Sequence, residues 1–173
     1  RIAAYPDGQW VAESDGRLLG YSSAQRIRPA LLDVAPLNYT TLTDGDRFTA
    51  THANDGEIYQ LVGVSTHPDF RGQRIGRQLV DHQVARAWTL GGIRRVLGFT
   101  RPSGRHLAPS GTLEGYLATQ FSSDARDKTL AFHLDSGAAI VSFHEDFRAC
   151  DQECLGAGVL IEYFRPQGLP AEC

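Results

Sequence analysis

The sequence predicts an α/β (α+β) domain on three observations. Runs rich in aromatic and β-branched residues recur along the chain and read as strands. Between them, residues 75–90 carry apolar positions at helical spacing, and two shorter segments downstream have helix-forming patterns. A turn rich in glycine and arginine stands where one strand hands over to the first of these helices. The 173 residues suffice for one domain with a sizeable core, and the hydrophobic fraction of 42% is ordinary for a globular chain.

In chain order, "QWVAESDGRLLGYSSAQRI" (9–27) reads as two strands about a turn, since Asp15-Gly16 is a strong hairpin signal. Residues 28–56, rich in Pro, Thr, Asp and Gly, predict a long connection with a short strand within it. "EIYQLVGVSTH" (57–67) reads as a central strand that Pro68 ends. Ile75, Leu79, Val80, Val84, Ala87 and Trp88 line one face of a helix over 75–90, closed by Gly91-Gly92. "IRRVLGFTR" (93–101) is the next strand, and 102–112 a loop. A short helix follows over 113–121, then another, capped by Asp124 or Asp127 and ended by Gly137. "AAIVSFHEDF" (138–147) and "GVLIEYF" (158–164) are strands, and the tail beyond Pro166 reads as unstructured.

The net charge of −3 implies no general affinity for nucleic acid. There is no long apolar run, so neither a transmembrane helix nor a signal peptide is read, and the expected location is cytoplasmic with no membrane partner. Cys150, Cys154 and Cys173 cluster near the C-terminus with His144 nearby, but no fourth ligand stands at a recognisable spacing. No metal is therefore expected, and the cysteines read as reduced thiols. The chain opens on Arg1 and contains no methionine, so it is read as a piece of a longer protein.

"VSTHPDFRGQRIGRQLV" (64–80) carries the strongest chemical signal. A helix N-terminus offers free N–H groups and the positive end of the helix dipole, and glycine lets a ligand approach the backbone. The stretch therefore reads as an anion site suited to phosphate, against the plainer alternative of a tight turn with solvated arginines.

The order of elements together with this turn resembles the GNAT superfamily of acyl-CoA-dependent transferases. Its signature is Arg or Gln, two residues, Gly, one residue, then Gly or Ala, between the family's fourth strand and third helix. Here the match is Arg71, Gly72, Gln73, Arg74, Ile75, Gly76, with Arg74 in place of the usual glycine. The resemblance spans about 9–164 and implies a mixed, mostly antiparallel, splayed sheet flanked by helices. It also implies that residues 1–166 form one acyl-CoA-binding domain, lacking the family's first strand and first two helices, with 167–173 a tail. By the same resemblance, the N–H groups of Gln73 to Gly76 hold the coenzyme A pyrophosphate. The backbone of Val62 to Ser65, with Val62 and Val64 at its centre, receives the pantetheine arm. Coenzyme A enters as the thioester substrate, malonyl-CoA or acetyl-CoA.

In ordinary members the segment matching "AFHLDSGA" (131–138) carries a Phe-Tyr pair whose tyrosine protonates the departing thiolate; this chain has Phe132-His133 instead. A histidine there is able to hydrogen-bond a thioester carbonyl, steady an enolate or protonate a carbanion. Thr100, ending a strand in "LGFTRPSG" (97–104), is a second donor toward the carbonyl oxygen or the malonyl carboxylate. "GFTRP", "FHLDSGA" and "GVLIEY" together resemble one branch of the superfamily, the GNAT-like domains of polyketide synthase loading modules. That resemblance implies a malonyl-CoA decarboxylase that makes an acetyl starter unit, with S-acetyl transfer to an acyl carrier protein and neighbouring synthase domains as partners. It implies His133 and Thr100 as the catalytic pair, Arg148 in "EDFRACD" as a substrate-holding arginine, and Trp10 as a pocket tryptophan. Plainer readings stand beside these: Arg148 as a solvated charge, Trp10 as core, Tyr163 as packing, and Tyr116 as part of a lid. Two other functions remain open, a conventional N-acetyltransferase and an inactive acyl-CoA-binding or interaction domain.

Overall fold

The computed structural model describes residues 1–108, 111–122 and 126–165. Six strands form one sheet in the order β1-β2-β3-β4-β6-β5. The Asp15-Gly16 turn, both residues at positive φ, joins β1 (Gln9–Ser14) to β2 (Arg17–Ile27) as the hairpin expected of it. β2 pairs antiparallel with β3 (Ile58–Thr66), and β3 pairs parallel with β4 (Arg95–Thr100). β4 then pairs antiparallel with β6 (Gly158–Tyr163), and β5 (Ala138–His144) closes the far edge.

The connection 28–56 differs from expectation. It holds no strand but a 3₁₀ turn at Pro29–Asp33 and the short helix α1 (Tyr39–Thr43). Asn38 and Thr41 form a reciprocal capping box that starts α1. Both edges of β2 are already taken by β1 and β3, so the segment that follows it cannot pair beside it. α2 (Ile75–Ala87) also stops earlier than its apolar pattern suggested; Trp88 caps it, and Gly92 at φ +77° turns the chain toward β4. Helices α3 (Leu113–Ser122) and α4 (Lys128–Asp135) follow. Asp127 caps α4, accepting from the N–H groups of Thr129 and Leu130. Asp124, Cys173 and the tail lie outside the described residues.

The sheet is covered on both faces. One core gathers Tyr59, Val80, Trp88, Leu113, Leu117, Leu130 and Tyr163 beneath α2, α3 and α4. The other gathers Ile27, Leu42, Ile58, Leu97, Phe147 and Leu160 beneath α1. No described helix is long and apolar enough to cross a membrane.

Two irregularities shape the cleft. The parallel ladder between β3 and β4 runs only from Ile58↔Arg95 to Leu61↔Gly98, after which the strands part. On the other edge of β3, Ser23 pairs with Gly63 and Ala24 with Leu61, which leaves Val62 as a bulge residue. A bulge bends its strand and increases local twist, so the departure of β3 from β4 has a local cause.

Candidate active site

Where β3 and β4 part, a cavity of about 270 Å³ opens. Leu61 to Val64 of β3 and Gly98 to Thr100 of β4 form its split walls, and His133, Tyr163 and Arg148 also line it. Beyond Leu61 the edge of β3 that faces β4 has no strand partner among the described residues, so its backbone groups are available to an extended ligand.

A second basin, of about 810 Å³, lies at the N-terminus of α2, lined by Thr66, Arg71, Gly72, Arg74, Ile75 and Gly76 among others. Arg74 is the N-cap and adopts φ 61°, ψ 15°, the left-handed conformation. This is the geometry that glycine adopts most easily, so arginine here keeps the loop shape at a strain of about 1–2 kcal/mol. The N–H groups of Arg74, Ile75, Gly76 and Arg77 have no intrahelical acceptor and point out of the helix end. The side chains of Arg71 and Arg74 make no ion pair among the described residues, whereas Arg77 is paired with Asp81. Gln73 does not line the basin, and its N–H is bonded to the carbonyl of Phe70 at 3.4 Å. The free N–H groups therefore begin at Arg74, one residue after Gln73. A Cβ on Gly76 would meet Thr66 Oγ1 at 3.2 Å and the Phe132 ring at 3.5 Å, so bulk at this position is unwelcome.

Phe132 touches that loop, and its neighbour His133 reaches the cavity, so α4 links the two sites. His133 sits in the last turn of α4, and its ring meets Phe132 edge-on at 4.9 Å. Its Nδ1 is 2.6 Å from the Tyr163 hydroxyl. Burial pushes the imidazole down to about 4, so it is neutral at pH 7. Burial also raises Tyr163, which keeps its phenol protonated. Nε2 of His133 has no partner among the described residues.

Thr100 ends β4 opposite Val159 and is 3% exposed, and its hydroxyl has no hydrogen-bond partner among the described residues. A buried hydroxyl without a partner is uncommon and costs about 1–3 kcal/mol. Thr100 lines the cavity, where its O–H is chemically able to donate to an oxygen.

Arg148 lines the cavity with its guanidinium 3.9 Å from the centre of the Tyr39 ring, a cation–π contact. It shares Asp151, at 3.8 Å, with Arg101, which also pairs with Glu153. Trp10 is not brought to this cavity. It lies on β1, lines a neighbouring groove, packs edge-on against His82 at 4.3 Å, and donates its indole N–H to Asp7. Tyr116 is not at the cavity either; it donates to Asp127 and so fastens α3 to the cap of α4. Tyr163 is the residue that sequence reasoning undervalued. A tyrosine at the end of a buried strand looks like packing until its hydroxyl is placed against an imidazole.

Among the described residues no cluster of His, Cys, Asp or Glu has the makings of a metal site; Cys150 is exposed and Cys154 buried, both as free thiols. Residues 2–108 match the model of the acetyltransferase (GNAT) family. A Bacillus subtilis (strain 168) protein described as probable hydrolase YhcX is 25% identical over 170 residues, 97% of this chain and 32% of its own. The chain thus spans about a third of the length of that curated relative. Among solved structures, the GphF GNAT-like decarboxylase in complex with isobutyryl-CoA aligns with a TM-score of 0.79 at 31% identity, covering 94% of this chain and 80% of the other. The loading GNATL domain of CurA from Lyngbya majuscula aligns with a TM-score of 0.77 at 25% identity, over 94% and 79%.

Proposed function

The chain belongs to the GNAT acetyltransferase family, and we propose that its reaction is the decarboxylation of malonyl-CoA in a polyketide synthase loading module. The product is an acetyl starter unit, with S-acetyl transfer to an acyl carrier protein as the following step. The observation that carries this reading is the pairing of a neutral His133 with the unpartnered hydroxyl of Thr100 in one cavity, beside the open edge of β3. The likeness to GphF and to the CurA loading domain supports it further.

The coenzyme A pyrophosphate sits on the N–H groups that open α2, with Arg71 and Arg74 as charged partners, and the pantetheine lies along Val62 to Val64. This brings the thioester between β4 and α4. The bond between the α-carbon and the malonyl carboxylate breaks, carbon dioxide leaves, and the electron pair passes into the thioester enolate. Thr100 O–H and His133 N–H donate to the enolate oxygen, where the new charge accumulates. A neutral imidazole suits this role as a hydrogen-bond donor; giving up its only N–H proton would leave an imidazolate. The proton that completes the acetyl group therefore comes from water, and the balance is malonyl-CoA plus one proton to acetyl-CoA plus carbon dioxide. Arg148 attracts the carboxylate, but it is already shared with Asp151. A weak hold is appropriate, because stabilising the carboxylate more than the transition state would raise the barrier.

The test is mass spectrometry of malonyl-CoA incubated with the protein, with and without a carrier protein. The reading expects acetyl-CoA and carbon dioxide in both, and acetylated carrier where transfer follows. Acetylation of an amine from acetyl-CoA, with no carbon dioxide from malonyl-CoA, would overturn it in favour of a conventional transferase.

A further inference from the structure

Building on the role of His133 as a donor, we propose that Tyr163 is a positioning residue that fixes His133 in the tautomer with its proton on Nε2. The contact is short, Tyr163 Oη to His133 Nδ1 at 2.6 Å. A neutral imidazole carries one N–H, and the hydrogen bond at one nitrogen decides where that proton sits.

Two arrangements are open to this pair. Either the phenol donates to Nδ1 and the ring proton is on Nε2, or Nδ1–H donates to the phenol oxygen and Nε2 is a bare acceptor. Tyr163 is 2% exposed, and its hydroxyl has no hydrogen-bond partner other than His133 among the described residues. In the second arrangement the phenol proton would be buried with nothing to accept it, which buried polar groups avoid. In the first, the phenol proton is used, and the Nε2–H is left for whatever fills the cavity. The direction matters, because only the first presents a donor to a developing enolate oxygen; the second presents a lone pair, which would repel it.

The anchoring suits a positioning role. Tyr163 is held by ladder partners on both sides, Val96 on β4 and Ala138 on β5. The ring of His133 is further bounded by Phe132. The arrangement is set before substrate arrives.

Nitrogen NMR of the ¹⁵N-histidine protein, free of ligand at pH 7.5, tests this directly. The His133 signals are identified by their loss in His133→Gln. We expect the Nε2–H pattern in the wild-type protein and a shift toward mixed tautomers in Tyr163→Phe. With malonyl-CoA, Tyr163→Phe should lower kcat by roughly 10- to 100-fold while KM stays nearly unchanged, since a donor is misdirected and no binding contact is removed. An Nδ1–H pattern in the wild-type protein overturns the proposal, and so does a Tyr163→Phe protein with unaltered tautomer and kcat. The spectrum is read without substrate, so failure of the decarboxylase reading would appear separately, as wild-type protein that releases no carbon dioxide.

Discussion

Residues 71–76 are consecutive and exposed for most of their length, whereas Thr100, His133 and Tyr163 come from β4, α4 and β6 and line one cavity, the first and last buried and His133 half-buried. In the proposed reading the first region works through backbone N–H groups, which every residue except proline carries, so Arg74 is compatible with it where the family usually has glycine. What it requires is a conformation, and Arg74 adopts it at φ 61°. In the same reading the second region works through single side-chain atoms, a hydroxyl and a ring nitrogen, whose surroundings set their protonation. The loop is therefore forgiving of side-chain changes that keep its shape, and the buried cluster is not.

The largest expected effect is at the buried end. Thr100→Val and His133→Ala should each lower malonyl-CoA decarboxylation by about 10²–10³, the usual loss for one preorganised oxyanion donor, with coenzyme A binding retained. Thr100→Val should also leave the protein as stable as before or more so, because it removes a buried hydroxyl that has no partner among the described residues. A steady-state assay with a thermal melt checks both; a variant that loses stability and activity together would assign Thr100 to the fold.

At the loop, the change that matters is one of shape. Gly76→Leu pushes on Phe132 and Thr66, and should weaken coenzyme A binding about tenfold or more, because a displaced helix end forfeits several N–H contacts of about 1 kcal/mol each. Calorimetry that finds unchanged affinity would remove the pyrophosphate from this turn.

Changing charge there while keeping shape should do less. Arg74→Ala and Arg74→Gly should each reduce affinity about fivefold, the worth of roughly 1 kcal/mol for one exposed charged contact. Both should show a shallower dependence of affinity on salt than the parent. Arg74→Gly should in addition stabilise the protein by about 1 kcal/mol, since glycine accepts the left-handed conformation without strain. Equal salt slopes in variant and parent would mean that Arg74 does not meet a phosphate.

The smallest effect separates the two regions by pH. His133 is held at about 4 by burial, against 6.5 as the ordinary value. Between those values the unfolded chain binds a proton that the folded one refuses. The contribution to stability is thus complete above pH 6.5 and is lost as pH falls toward 4. The wild-type melting temperature should drop further than that of His133→Gln between pH 7 and pH 4.5, by roughly a few degrees. His144, which burial also lowers, is common to both proteins and cancels in the comparison. Parallel pH profiles would place His133 in a wetter setting than the cavity described above.

By itself the sequence determined the six strands and the helices from α2 onward, the Asp15-Gly16 hairpin, a cap at Asp124 or Asp127 and a glycine-arginine turn at the start of α2. Each rests on near neighbours in the chain: a turn needs particular dihedral angles, a cap needs a side-chain acceptor within three residues, and a helix end needs its own N–H groups. It also singled out His133 and Thr100, but only through likeness to a family motif. Only the tertiary structure decided that both line one cavity, that Trp10 lies outside it, and that Tyr163 is paired with His133. The same holds for the connection 28–56, where the lack of a free strand edge beside β2 favours a capped helix. The physical reason is one throughout. Periodicity, capping and turn chemistry are local, whereas burial, the partner of a hydroxyl and the protonation of an imidazole depend on atoms brought close by the sheet.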